Sequence, residues 1–468
     1  MTFVFYDTET TGTSRHYDQI LQFAAICTDD DLNEIERFEL RCRLLPHVIP
    51  TAGAILLTGV SLDRLLDPTL PSHHDFICQC HAKLTEWSPA TFIGYNSVRF
   101  DEPLLRQAFY QNLKPIYLTN TDGNARQDVL PLMRAANCLS PGTFRMPTND
   151  EGKVSFKLDR VAPLNGFPDH DAHDALGDVL ATIHLARLLK ERAPDVWRRS
   201  LTFCNRTGVE SFIDENECFY LIDTVRNDGA GYFSVPIGRP KHKDRQVICL
   251  NLNVDLAEIE AMDANELGKW LRKSPRPVRR FRTNAAPHLL HLDEVPEHLF
   301  GEMTARKARL RAHRYMDNSK LQRRIAKVLE DDEREYEAGT TVEEQIYDGF
   351  YSNTDKRLLD QFHAAPWSER WGISKQFEDK RLKSLARRLI YFEQPDALPP
   401  SQQAQVVRKM AARMLGHEKD GDWTCIPTAT KELRERWREA DEAQRALLKP
   451  LRAYLQNRKK WAKSMLGS

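Results

Sequence analysis

Residues 3–6, Phe-Val-Phe-Tyr, form an unbroken apolar run that gives way to Asp7, Thr8, Glu9, Thr10, Thr11 and Gly12. A run of this length and composition predicts a buried strand. Side chains two apart share one face of a strand, so Asp7 and Glu9 are expected to project together from its end. Gly12 then lets the chain turn. A second apolar run, Phe92-Ile93-Gly94-Tyr95, leads to Asp101, and Pro103 close behind suits the first turn of a helix. Asp101 is thus placed at a strand-to-helix junction. Leu176, Val179, Leu180, Ile183 and Arg187 recur at helical spacing and predict a helix from about Asp174 to Lys190 that carries Asp178. Asp174 fits the N-cap, with His173 in the turn before it.

Strand-like and helix-like segments alternate over residues 1–195, the pattern of an α/β domain. Ala193-Pro194-Asp195 marks a boundary after the long helix. Residues 202–352 are mixed, with strand candidates at Phe219–Ile222 and Gln246–Leu250 and a basic helical stretch at Arg306–Lys327. Residues 357–468 carry Leu, Ala, Glu, Lys and Arg at helical spacing and predict three to five helices, broken at Pro395, Pro399 and Pro400. A chain of 468 residues is long for one core, and two or three domains are expected. No internal repeat or low-complexity tract interrupts it.

Composition narrows the class. At 41% hydrophobic and 29% charged the chain reads as soluble and globular. No run of 18 apolar residues is present, so no membrane span is expected. The first strand starts at Phe3, which leaves no room for a signal peptide, and the nine scattered cysteines fit a reducing cytoplasm. Cys78 and Cys80 read as half-buried helix residues and not as metal ligands. The zero net charge conceals an asymmetry. Residues 1–195 hold 18 Lys+Arg against 26 Asp+Glu, a net of −8, and the remainder holds 49 against 41, a net of +8. An acidic part suits the collection of cations and a basic part suits a polyanion. Positive charge concentrates at Lys269–Arg282, with Arg272, Lys273, Arg276, Arg279 and Arg280, and at Arg306–Lys327, with Lys307, Arg309, Arg311, Arg314, Lys320, Arg323 and Arg324.

The candidate chemistry lies in Asp7, Glu9, Asp101 and Asp178. Adjacent carboxylates repel unless a cation lies between them, and oxygen ligands suit magnesium or manganese. His173 adds a group that titrates near neutrality and suits a general base. Two metals and one base are the requirements of metal-dependent phosphodiester hydrolysis.

The three motifs, Phe5–Gly12, Gly94–Asp101 and His173–Asp178, resemble those of the DEDDh 3′→5′ exonuclease superfamily. Gly94-Tyr95-Asn96-Ser97-Val98-Arg99-Phe100-Asp101 and Ser155-Phe156-Lys157-Leu158 narrow the resemblance to bacterial exonuclease I. Downstream, Gln345–Ser352 and Phe377–Leu382 are similar to signatures of that family outside its catalytic part. The resemblance implies a ribonuclease H-like exonuclease domain with a central mixed sheet at 1–195, an SH3-like α+β domain at 202–352 and a C-terminal helical domain at 357–468. It implies a monomeric, cytoplasmic 3′→5′ exodeoxyribonuclease that degrades single-stranded DNA to 5′-mononucleotides in DNA repair and recombination. Its cofactor would be two Mg2+ ions, with Mn2+ able to substitute. Glu9, Lys157, Arg106, Tyr117 and Arg134 match positions near the DNA path. On the residues alone, Arg106 and Arg134 fit exposed helix charges and Tyr117 a core position equally well. The family also binds the acidic, Phe-ending tail of single-stranded DNA-binding protein, for which Arg306–Lys327 is the candidate surface.

The chain departs from the family in places. Its first motif ends Thr-Glu-Thr-Thr-Gly, a form commoner in proofreading relatives. Lys157 stands where the family carries an arginine, keeping the charge but losing the bidentate fork. The family's arginine-rich stretch is blurred into Leu385–Phe392. A proofreading exonuclease would share residues 1–195 without needing the basic remainder, and an RNA-directed member of the superfamily would normally be a short homodimer.

Overall fold

The apolar run near the N-terminus forms β1 (Phe3–Thr10) in the computed structural model, which describes residues 1–167, 174–224, 231–241, 243–273, 277–331, 338–417 and 421–467. β1 pairs antiparallel with β2 (Ile20–Thr28), which pairs antiparallel with β3 (Glu34–Arg41). On its other side β1 runs parallel to β4 (Thr91–Gly94), and β4 runs parallel to β5 (Ala125–Asp128). The result is a mixed five-stranded sheet in the order β3-β2-β1-β4-β5.

Phe3 and Phe5 face one side of this sheet, with Ala24 and Ile26, in a core shared with the helices Val129–Leu139 and Ala175–Arg192. Val4 and Tyr6 face the other, with Phe23 and Ala25, against the helices His73–Glu86 and Asp101–Gln111. Burial on both faces explains why the run is continuously apolar and does not alternate. Asp7 and Glu9 continue the Phe3 and Phe5 face, so the pleat turns them toward the Ala175–Arg192 helix. That helix is buried around more of its circumference than the expected stripe. Ala175, Ala181, Leu185, Ala186 and Leu189 are buried along with Val179 and Ile183. Arg187 is exposed, and its guanidinium donates to the Leu32 carbonyl at 2.6 Å.

The second sheet is antiparallel throughout, in the order β10-β6-β7-β8-β9. Its strands are β6 (Phe219–Ile222), β7 (Gly231–Gly238), β8 (Gln246–Asn251), β9 (Val278–Arg282) and β10 (Leu289–Leu290). The basic stretch becomes two helices, Ala305–Asp317 and Ser319–Asp331, which bury Ala308, Ala312, Leu321 and Ile325. Several of its arginines hold this region together. Arg311 donates to the carbonyls of Leu252 and Val254 at 2.7 and 2.9 Å, and Arg314 pairs with Glu260 at 2.8 Å. Arg276, counted in the other basic stretch, lies outside the described residues.

From residue 353 onward the described residues form six α-helices, more than the three to five expected: Asn353–Ala364, Trp367–Ser374, Lys380–Glu393, Pro400–Leu415, Ile426–Glu439 and Glu442–Leu466. Pro366 starts a short extra helix at Trp367, and apolar periodicity alone merges it with its neighbours. These helices close onto the first sheet's region. Leu21, Leu44, Ile49 and Ile55 share a core with Met414, Ile426, Leu448, Leu451 and Leu455. Tyr110 and Leu113 share another with Phe362, Phe377 and Leu385. The strap between the second sheet and the helices runs through this seam. Tyr110 donates to the Val342 carbonyl at 2.8 Å, Tyr17 to the Glu344 carboxylate at 2.7 Å, and Glu343 accepts from Arg388 and Arg413 at 2.6 Å each. Among the described residues no helix is long and apolar enough to cross a membrane.

Candidate active site

Asp7 and Glu9 leave β1 opposite Ala24 and Gln22 of β2, and the strand register shifts immediately after Glu9. Asp178 sits in the first turn of Ala175–Arg192, the helix that covers this face. The three half-buried carboxylates each bring an oxygen to within 4.8 Å of the others. Gln22 fixes the approach of the helix. Its amide donates to Asp174 at 2.9 Å, and its carbonyl oxygen accepts from the Ala175 N–H at 3.4 Å. Asp174 does occupy the N-cap position, but its carboxylate does not cap the helix and instead takes Gln22 and Arg41.

Asp101 opens the Asp101–Gln111 helix and is 2% exposed. Its Oδ1 accepts from the Thr8 N–H at 3.1 Å and the Thr8 hydroxyl at 2.6 Å. Thr8 lies between Asp7 and Glu9, so this bond ties Asp101 to the strand that carries them. The motif loop ahead of it is held by a residue that sequence reasoning missed. The buried Asp128 carboxylate accepts from the Asn96 and Val98 N–H groups at 2.7 and 3.2 Å. It also caps the Val129–Leu139 helix. An acidic residue directly before an apolar helix was the available signal. Gly94 is required by close approach, because a Cβ there would meet the Tyr6 carbonyl at 2.8 Å and Ser97 Cβ at 2.5 Å.

The electrostatics are one-sided. Burial and the neighbouring Asp101, Asp178 and Glu9 raise the Asp7 carboxyl well above the usual range. Burial, then Asp178, Asp101 and Asp174, push Glu9 up to about 8, opposed by Arg41. Asp101 is pushed up to about 7 by burial, against the pull of Thr8. Acids dominate the charges acting on these hard oxygen donors among the described residues, and such donors fit a divalent cation.

His173 lies outside the described residues. Lys157 is exposed, at the N-terminus of the Leu158–Leu164 helix. Arg106 and Arg134 are half-buried and committed to protein partners. Arg106 donates to Glu102 at 2.7 Å and to Asn120 at 2.6 Å, under the Tyr117 ring. Arg134 donates to the Thr224 carbonyl at 2.7 Å and lies over Phe156. Tyr117 is half-buried, 6.4 Å from the ring of Phe350, which is 84% exposed. Phe350 belongs to the Gln345–Ser352 motif, and its exposure could not be read from an aromatic in an apolar stretch.

A family model described as Exonuclease matches residues 4–186, and one described as Exonuclease I C-terminal domain matches residues 340–458. The exodeoxyribonuclease I of Escherichia coli K12 is 29% identical over 406 residues, covering 82% of this chain and 84% of that protein. That of Haemophilus influenzae Rd is 28% identical over 404 residues, with the same shares covered. In fold, the chain is similar to E. coli exonuclease I in complex with a dA16 oligonucleotide, with a TM-score of 0.87, 24% identity and coverage of 98% of this chain and 99% of that one. A moderately thermophilic exonuclease I from Methylocaldum szegediense gives a TM-score of 0.86 at 23% identity, over 99% of both chains. One family model matches the end that carries Asp7, Glu9 and Asp178, another matches the helical end, and relatives at 28–29% identity span both, so the chain is similar to bacterial exonuclease I along most of its length.

Proposed function

We propose that this chain is a 3′→5′ exonuclease that degrades single-stranded DNA to 5′-mononucleotides by two-metal-ion hydrolysis, acting in DNA repair and recombination. The observation that carries the reading is the convergence of Asp7, Glu9 and Asp178, each with an oxygen within 4.8 Å of the others, in a chain whose residues 4–186 match the exonuclease model. Those three carboxylates would hold one divalent cation. Asp101, whose Oδ1 is taken by Thr8, would offer Oδ2 toward a second. Bound Mg2+ or Mn2+ supplies Lewis acidity toward the phosphodiester and lowers the pKa of water. His173 takes the proton of the attacking water at an imidazole nitrogen. Lys157 and Glu9 would meet the terminal nucleotide, Tyr117 would stack on a base, and Arg106 and Arg134 would bias the path toward phosphates.

On this reading the protein is a cytoplasmic monomer, with domains at 1–195, 202–352 and 357–468. It also meets the acidic, Phe-ending tail of single-stranded DNA-binding protein. With Arg311 and Arg314 engaged internally, the exposed Arg306, Lys320, Arg323 and Lys327 are the cations available to that tail. The test is digestion of 3′- and 5′-labelled single-stranded DNA, RNA and duplex DNA side by side, with magnesium, manganese or EDTA. Stepwise shortening of single-stranded DNA from the 3′ end only with metal is expected. Preferential loss of RNA, or cleavage in EDTA, would overturn the reading.

A further inference from the structure

Glu9, Gln22 and Arg41 stand opposite one another on β1, β2 and β3, so the pleat brings their side chains to one face in a row across three strands. The row ends against the helix Ala175–Arg192, at the residue before its first turn. Arg41 donates to the Asp174 carboxylate at 2.5 Å, and the Gln22 amide donates to the same oxygen at 2.9 Å. The Gln22 carbonyl oxygen accepts from the Ala175 N–H at 3.4 Å. Glu39, two residues before Arg41 and on the same face, accepts from Gln22 at 2.9 Å and lies 3.8 Å from Arg41. Gln22 is fully buried, and Arg41 and Asp174 are partly so.

An aspartate at the N-cap ordinarily accepts from the first N–H groups of its own helix, which stabilises that helix. Asp174 forgoes this bond for Gln22 and Arg41. A residue that breaks a strong local preference marks a place where the fold gives up stability for geometry. Asp178 lies one helical turn further on, its N–H bonded to the Asp174 carbonyl at 3.1 Å, so the position of Asp174 sets that of Asp178. The row of side chains begins at Glu9, which shares the carboxylate cluster with Asp178. It therefore fixes the gap between sheet and helix where these two carboxylates meet. Charge alone predicts a different role for Arg41. It opposes the acids around Glu9, and as a mere charge it would weaken the attraction of the cluster for a cation.

On the metal-dependent exonuclease reading, we propose that Arg41 is a positioning residue. Through Asp174, and with Gln22, it holds the helix at the height at which Asp178 and Glu9 share one divalent cation. The test uses the full chain and Mn2+ alone, titrated by calorimetry, with turnover measured separately. Arg41→Gln should weaken Mn2+ binding and lower kcat, each by about 10–100-fold, the range for partners that orient metal ligands. KM for an oligothymidylate should be unchanged. Arg41→Lys keeps a cation for the single contact to Asp174 and should restore most of both losses. Asp174→Asn should resemble Arg41→Gln, and the double variant should be no weaker than either alone, because both break one linkage. The melting curve of Arg41→Gln in EDTA should match wild type, since Asp174 is then free to cap its helix. Mn2+ binding by Arg41→Gln equal to or tighter than wild type would overturn the proposal, as would additive losses in the double variant. A wild-type chain that takes up no Mn2+ would instead sink the metal-dependent reading itself.

Discussion

Glu343 is buried and Glu9 half-buried, and withdrawal from water pushes both toward the neutral form. At Glu343 the guanidiniums of Arg388 and Arg413 each stand 2.6 Å from one carboxylate oxygen, and the carboxyl is held far below its usual range. At Glu9 the neighbours are Asp178, Asp101 and Asp174, opposed by Arg41, and the carboxyl rises to about 8. The difference lies in who supplies the cation. The seam carries its own counter-charges, whereas on the proposed reading the end of β1 takes its cation from solution. An acid raised by other acids is therefore a stronger pointer to a ligand than burial alone.

The sharpest way to break this contrast is to remove an acid from the unbalanced site. Asp7→Ala or Asp178→Ala should leave less than about a hundredth of the nuclease activity, with binding of single-stranded DNA in EDTA retained. Asp7→Asn should also raise the melting temperature of the metal-free protein, because it removes a repelling charge. Activity near wild type would make the cluster merely structural. His173→Ala should lower turnover by about 10²–10⁴-fold and abolish the acidic limb of the pH–rate profile. An unchanged acidic limb would remove His173 from the role of base.

The opposite response is expected at the seam. Glu343→Ala leaves two largely buried guanidiniums without their carboxylate and should cost about 3 kcal/mol of stability in denaturant titrations. Turnover per folded molecule at low temperature should stay within about two-fold of wild type, because the seam does not touch the reacting atoms. The smallest effect concerns pH. Asp7, Glu9 and Asp101 have carboxyls raised on folding, so their contribution is full below about pH 4 and is lost as pH rises toward 8. The buried His73 and His74, lowered to about 3, contribute above about pH 6.5 and lose that contribution as pH falls. Melting temperatures in EDTA should therefore decline on both sides of an intermediate pH. Magnesium should lift the alkaline side alone, and a uniform shift at every pH would contradict the assignment.

The parts legible in the sequence were those set by local period. Phe3–Tyr6 announced a doubly buried strand, the two-residue spacing put Asp7 and Glu9 on one face, and the helix carrying Asp178 followed from its apolar repeat. What escaped depends on residues far apart along the chain. Nothing near Asp101 reveals that Thr8 holds it, or that Asp128 anchors the loop before it. Arg106, Arg311 and Arg314 read as free charge until Glu102, Leu252 and Glu260 are folded against them. The boundary near Asp195 likewise hides a dependence, because in a fragment ending there Tyr110, Leu113 and Ile55 would lose the helices that bury them.

That seam also bears on how the protein is made. Leu21 and Leu44 find their packing partners at Leu448, Leu451 and Leu455, close to the other end of the chain. At about 5–20 residues per second, synthesis of the intervening stretch takes about 20–80 s. Through that interval the strands bearing Asp7 and Glu9 emerge from the ribosome with one flank bare, and they gain their last wall only when the final helix arrives. The strand that carries Asp7 and Glu9 thus waits for walls that are translated long after it, and a chain without them lacks its full support.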